Sequence, residues 1–238
     1  MAKIFVAVSA LAAGFLQGTT GFGAVMIMMM VLPFFYSMGE SVGISTSTTI
    51  AGNLMMSLQY RKSFRIRKVI LPSAINIAVN IITTLWSKSI EQASLKKAFG
   101  VFLIILSVYY LFLGKGKRWN LSLPVSLLMI VISAVCNSLF GIGGPLMAIY
   151  FMNTTESREE YLGTIQCFFL FISTGNLILR LCLGVLDTSH IVPILIGMIG
   201  VLAAGQLSKK AVSHMNIKLT ETLTYALVGI TGLYNLFN

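Results

Sequence analysis

Apolar residues run through this chain in long blocks broken by short polar stretches. The blocks fall into two sets of five: 3–17, 24–37, 41–60, 68–86 and 97–113, then 122–139, 144–153, 161–185, 190–207 and 219–237. Sustained apolar blocks of this length read as helices. No polar stretch between them is long enough for a soluble domain. The pattern therefore predicts one all-α polytopic membrane domain over 1–238, built of a five-segment unit at 1–118 and a second at 119–238. At about 1.5 Å per residue, the blocks 24–37 and 144–153 reach only about 21 and 15 Å, against a hydrocarbon core of about 30 Å. Each follows a glycine-rich break, Gly18-Thr19-Thr20-Gly21-Phe22-Gly23 in one case and Gly141-Ile142-Gly143-Gly144-Pro145 in the other. With the blocks before them they predict two helical hairpins that dip into the membrane and turn at the glycines. Ordinary tight turns outside the bilayer are the alternative.

The two breaks are copies of one pattern. Gly21-Phe22-Gly23 recurs as Gly141-Ile142-Gly143, Gln17 as Asn137, and Glu40 and Gly43 as Glu160 and Gly163, all at a spacing of 120. Gly52-Asn53-Leu54 recurs as Gly175-Asn176-Leu177 at a spacing of 123. With an odd number of crossings per unit, the second unit is expected to be inverted relative to the first. Duplicated helix breaks of this kind are the sequence mark of a transporter's substrate site.

Composition agrees with a membrane setting: 56% of residues are hydrophobic, only 10% are charged, and the mean hydropathy is +0.88. The net charge of +10 does not point to nucleic acid, because the basic residues sit in short loops and form no continuous basic face. Their distribution reports orientation instead. If the hairpins enter and leave on one side, or if every segment crosses, twelve share a face: Arg61, Lys62, Arg65, Arg67, Lys68, Lys115, Lys117, Arg118, Arg158, Lys209, Lys210 and Lys218. Lys3, Lys88, Lys96 and Lys97 are left opposite. With the short blocks as loops and eight crossings, the split is nine to seven. The positive-inside rule prefers the first layout, a multi-pass protein of the cytoplasmic membrane with both termini extracytoplasmic. The opening Met1-Ala2-Lys3 and its apolar run could pass for a cleavable leader. Block 3–17 holds the same place before its glycines as 122–139, which makes it part of the fold.

A helix broken inside hydrocarbon presents unpaired N–H groups and a positive dipole end, so it can hold an anion without a buried cation. Glycine admits the ligand close to the backbone, and Pro145 suits a first helical turn. The candidate contacts are therefore the tips Gly21, Phe22, Gly23, Gly141, Gly143, Gly144 and Pro145, with Gln17, Thr19, Thr20, Asn137 and Ser138 beside them. The competing reading is that small residues only let helices pack closely. Asn53 and Asn176, mid-helix amides at matched positions, contact the ligand or support the tips. Arg180 lies inside an apolar block, where it either meets an oxyanion or snorkels to the interface. All seven acidic residues fall in loops or at block edges, so no proton relay is visible. Cys136, Cys167 and Cys182 lie within apolar blocks without paired spacing and read as buried thiols. His190 and His214 have no ligand partners in sequence, so no metal and no cofactor is expected. Phosphate-binding and nucleophile-elbow motifs are missing, which speaks against an enzyme.

Gly-Phe-Gly near the start and Phe140-Gly141-Ile142-Gly143-Gly144-Pro145 in the middle, each near the first helix of its unit, resemble the TauE/SafE family along essentially the whole chain. One departure is Ala24-Val25, which stands where the second copy has Gly144-Pro145. The resemblance implies export or uptake of sulfite, organosulfonates and related small sulfur-containing anions. The expected function is thus a secondary transporter or uniporter of a small anion, its partners being that anion and the lipid bilayer. A carrier for another inorganic or carboxylate anion and a non-transporting scaffold subunit stay open, as does a homo-oligomer.

Overall fold

The structure is a computed structural model that describes residues 2–109, 111, 122–211 and 217–237, with side chains outside 2, 209–211, 217–225 and 227. Lys115, Lys117, Arg118 and His214 lie outside the described residues. The described residues form ten α-helices and no strand. They are α1 (Ala2–Thr20), α2 (Ala24–Met29), α3 (Met38–Gln59), α4 (Ile66–Ser87), α5 (Gln92–Val108), α6 (Leu123–Phe140), α7 (Gly144–Thr154), α8 (Arg158–Cys182), α9 (Ile191–Ala211) and α10 (Ile217–Phe237). The order follows the predicted blocks, with two local corrections. Block 24–37 is not one helix: α2 stops at Met29, and a 3-10 turn, Leu32–Phe34, follows because Pro33 cannot donate to a continuing ladder. The block at 97–113 begins earlier, at Gln92, where α5 takes up Lys96 and Lys97.

Among the described residues, five segments are long and apolar enough to cross a membrane: Lys3–Thr20, Ile66–Ser87, Leu123–Phe140, Arg158–Cys182 and Thr188–Ser208. The 22-residue α3 is not among them, because Ser41 and the run Ser45-Thr46-Ser47-Thr48-Thr49 lower its hydropathy. These hydroxyls are all buried. Several bond their own helix, Thr46 Oγ1 donating to the Val42 carbonyl at 2.7 Å and Thr49 Oγ1 to Thr46 at 2.8 Å. The helix thus turns its polar residues towards the protein.

The helices pair as α1 with α9, α4 with α6, α3 with α8, and α5 with α10, while α3 also packs on α9 and α4 on α8. Small residues allow the close crossings. A Cβ on Gly14 would stand 2.4 Å from the Val201 carbonyl oxygen, and one on Gly100 2.7 Å from that of Gly232, so the backbones touch directly. Matched caps start α3 and α8. Ser37 Oγ accepts from Glu40 N at 3.3 Å and Ser157 Oγ from Glu160 N at 3.1 Å, 120 residues apart.

Contacts sort the loops into two ends. At one, the Phe5 ring stacks on Phe35 with centroids 4.8 Å apart, Phe34 meets Tyr234 at 5.2 Å, Met38 N donates to Gln92, and Glu40 lies 3.4 Å from His190. At the other, Lys68 Nζ donates to the Thr154 carbonyl and to Glu160, each at 2.7 Å, and Arg65 N donates to Thr164 Oγ1. That second end also carries Arg61, Lys62, Arg67 and Arg158. Phe5 and Phe35 flank the first glycine break, so the chain reverses between them.

Candidate functional site

The two glycine breaks meet inside the bundle. Gly21 and Gly23 have φ of 85° and 94°, and Gly141 has 71°, left-handed values that let each chain turn sharply after its helix. After α6 the turn is closed by Gly141 N donating to Asn137 O at 2.9 Å and Ile142 N to Cys136 O at 3.4 Å, a double C-terminal cap. The two turns lie side by side. A Cβ on Gly144 would stand 3.7 Å from Phe22 Cβ, and one on Gly141 2.8 Å from Val25 Cγ1.

Between the turns lies a small cavity lined by Gln17, Phe22, Gly23, Asn53, Asn137, Gly141, Gly144 and Pro145 among the expected residues. Thr46, Thr49 and Ser173 add hydroxyls, and Val25, Ile142, Phe169 and Ile172 add apolar walls. It offers about 50 Å³ to the centres of water-sized molecules. At roughly 10–15 Å³ per water, that is room for a few waters or one small ion. No carboxylate is among its lining residues.

A chain of amides fixes the polar wall. Gln166 Nε2 donates to the carbonyl of Gly21, which leaves its Oε1 to accept from Gln17 Nε2 at 3.0 Å. Gln17 Nε2 also donates to Asn53 Oδ1 at 2.6 Å, and Asn53 Nδ2 points to Ser173 Oγ at 3.4 Å. Asn137 also lines the cavity, and its Nδ2 is buried with no hydrogen-bond partner among the described residues. A buried donor left unpaired costs about 1–3 kcal/mol, so this one is set for a ligand or water.

The remaining expected residues lie elsewhere. Thr19 and Thr20 turn back on their own helix, both hydroxyls donating to the Leu16 carbonyl, at 2.7 and 2.9 Å. Thr20 Oγ1 also accepts from Phe22 N, so these hydroxyls shape the turn. Gly21 contributes its carbonyl to Gln166 and is not among the lining residues. Gly143 is held against α6, its carbonyl accepting from Ser133 Oγ at 2.8 Å. Asn176 does not join Asn53: its Oδ1 accepts from Arg180 Nε at 2.6 Å.

Arg180 folds back into the bundle. It stands two residues from the end of α8, yet it is only 3% exposed. Gly39 and Gly43, one turn apart on α3, leave a groove for it: a Cβ on Gly43 would stand 3.0 Å from Arg180 Cδ. Its Nη1 donates to the Gly39 carbonyl at 2.9 Å and its Nη2 to that of Ser138 at 2.8 Å, in the last turn of α6, where a cation complements the dipole. Arg180 and Ser138 line a second cavity, not the first.

Gln166 is the main residue that sequence reasoning left off the site: it is an amide inside an apolar block, but with no amide counterpart in the first unit it ranks below Asn53 and Asn176. The run Ser45 to Thr49, dense in hydroxyls within an apolar helix, could have located Thr46 and Thr49.

A small cavity lined by amides, hydroxyls and apolar side chains where the two glycine turns meet, within a bundle rich in exposed apolar side chains, fits a helical membrane transport protein. The chain belongs to the sulfite exporter TauE/SafE family, whose model matches residues 6–235. No curated protein and no solved structure matches it significantly.

Proposed function

We propose that this protein carries a small oxyanion, sulfite or a short organosulfonate, across the cytoplasmic membrane through the cavity between the two glycine turns. The observation that carries the reading is Asn137 Nδ2, an unpaired buried donor on the wall of a carboxylate-free cavity of about 50 Å³. Such a cavity favours sulfite over longer sulfonates. The N-terminal turn of the 11-residue α7, opening with Gly144 and Pro145 on the same wall, adds the positive end of a helix dipole. An anion leaving the cell needs no intramembrane proton carrier. An inside-negative potential drives it with about 2.3 kcal/mol per charge per 100 mV.

In this reading α1 with α2 and α6 with α7 are re-entrant hairpins, and residues 119–238 repeat 1–118 in inverted orientation. The pairing pattern supports the repeat. Exchanging α1 with α6, α2 with α7, α3 with α8, α4 with α9 and α5 with α10 turns the pair α1–α9 into α6–α4 and α3–α9 into α8–α4, leaving α3–α8 and α5–α10 unchanged. The end bearing Arg61 to Lys68 and Arg158 is then cytoplasmic, and both termini lie outside.

A thermal-stability screen of the purified protein with sulfite, sulfate, thiosulfate, sulfoacetate and chloride tests the function. Stabilisation by sulfite at lower concentration than by chloride is expected. A flat response to every anion would overturn the reading.

A further inference from the structure

The second cavity, about 260 Å³, opens at the end of the molecule that carries Glu40, Lys88 and the α8–α9 connection. It is separated from the central cavity by a single stretch of α6: Asn137 lines the central one, and its neighbours Ser138 and Leu139 line this one. Two cations look into it. Arg180, almost wholly buried, lines the cavity and spends three of its five N–H groups on Asn176, Gly39 and Ser138 among the described residues. Lys88, at the exposed end of α4, lies across from it with Nζ on the Leu183 carbonyl at 3.2 Å. The one carboxylate in the lining is already engaged: Glu40 Oε2 accepts from Ser37 N at 2.8 Å, and Oε1 faces His190 Nε2 at 3.4 Å. Thr84, Ser87 and Ser138 supply hydroxyls, with Ser138 Oγ 2.7 Å from Thr84 Oγ1.

We propose that Arg180 and Lys88 build a second anion site in this outer cavity, distinct from the central one and occupied by the same small oxyanion on its way between the central cavity and the extracytoplasmic face. The inference rests on the reading that the protein carries small anions. The two sites divide the work chemically. The central one uses neutral donors, so an anion there is held without a full opposing charge and can leave. The outer one uses fixed cations, which raise the local concentration of anions at the mouth. Conduction through successive sites of this kind requires each to bind well enough to fill and weakly enough to release. Arg180 has a further consequence here. Its bond to Ser138 ties the cation directly to the partition, one residue from Asn137, so the outer site and the wall of the central site share one support. The first unit has no equivalent, because Tyr60 and Ser57 stand where the spacings of 120 and 123 would put a cation. The two ends of the pathway are therefore unequal, and only the outer end carries a built cationic site among the described residues.

Equilibrium dialysis of radiolabelled sulfite against the purified full-length protein tests this. Wild type is expected to bind two anions per chain. Lys88→Glu, at an exposed position that the fold does not need, should weaken one event by about tenfold or more and leave the other within about twofold. Arg180→Lys should weaken the same event, and Asn137→Ala should weaken only the other. A single event that Asn137→Ala removes and Lys88→Glu leaves unmoved would overturn the outer site and leave the central one standing. A single event removed by Lys88→Glu and untouched by Asn137→Ala would overturn the central reading alone. Absence of binding in wild type would overturn both.

Discussion

Adjacent glycines at the second turn should respond in opposite ways to the same added methyl group. At Gly143 a Cβ would stand 2.5 Å from the Ser133 carbonyl oxygen, 2.7 Å from Ser133 Oγ and 2.9 Å from Asn137 Cβ. Two of these atoms are fixed by the backbone of α6, so α7 must shift, and the Ser133 hydrogen bond to the Gly143 carbonyl is lost with it. Overpacking of this kind costs about 1–3 kcal/mol and the bond about 1 kcal/mol more. Gly143→Ala should therefore lose about 2–4 kcal/mol, roughly 4–16 °C in melting temperature for a chain of this length. At Gly144 the nearest atoms are Phe169 Cζ at 3.4 Å and Phe22 Cβ at 3.7 Å, both on the cavity wall. Gly144→Ala should fold within about 1 kcal/mol of wild type. Its methyl group enters the cavity and should weaken sulfite binding by about tenfold, or 1.4 kcal/mol. Melting curves in detergent, with and without a sulfite titration, read both effects. A Gly143→Ala protein that melts with wild type would refute the close packing of the turn on α6. A Gly144→Ala protein with unchanged sulfite affinity would remove the cavity from the anion's path.

Other changes probe other parts of the account. Gln166→Leu leaves the Gly21 carbonyl without its donor and should cost about 1–3 kcal/mol, read as a lower melting temperature together with weaker sulfite binding. Arg180→Lys cannot reach Asn176, Gly39 and Ser138 at once and should lose about 2–4 kcal/mol, whereas an interfacial anchor would tolerate the exchange. Of the three thiols expected to be buried, Cys167 is buried and Cys136 half-buried, but Cys182, the last residue of α8, is exposed. A membrane-impermeant maleimide should therefore label Cys182 alone, from the extracytoplasmic side; labelling only from the cytoplasmic side would invert the topology. A reporter fused after Asn238 that is active only in the cytoplasm would do the same.

How much of this was legible in the sequence depended on whether a residue's role is set along the chain or across it. The glycine turns and their partners Gln17 and Asn137 were readable, because a helix break in an apolar run is a local event and its duplication marks it as deliberate. The meeting of Gln17 with Asn53 lay within reach of the same logic, since an intramembrane amide needs a partner. Gln166 was not, because its role is to bridge α8 to the carbonyl of Gly21, 145 residues away. Thr19 and Thr20 misled for the opposite reason. Their hydroxyls satisfy a carbonyl three or four residues back, a local option that competes with any ligand. Arg180 showed the limit most clearly. Two residues from a helix end, an arginine reaches water in an isolated helix; here Gly39, Gly43 and Leu186 cover it from α3 and the following loop. The sequence holds those glycines but not the fact that they face α8. The break of α2 after Met29 was announced by Pro33, which a reading on apolar length alone passes over.

A small anion crossing between the two glycine turns should meet the amide of Asn137 on its way. Sulfite efflux from proteoliposomes, compared between wild type and Asn137→Ala and normalised to inserted protein, addresses it most directly. The donor has no partner among the described residues, so its loss should leave the melting temperature within about 1 kcal/mol equivalent of wild type. Wild type should release sulfite at a rate set by the membrane potential, and the variant about tenfold more slowly. Equal efflux in the two proteins, with both correctly folded, would contradict it.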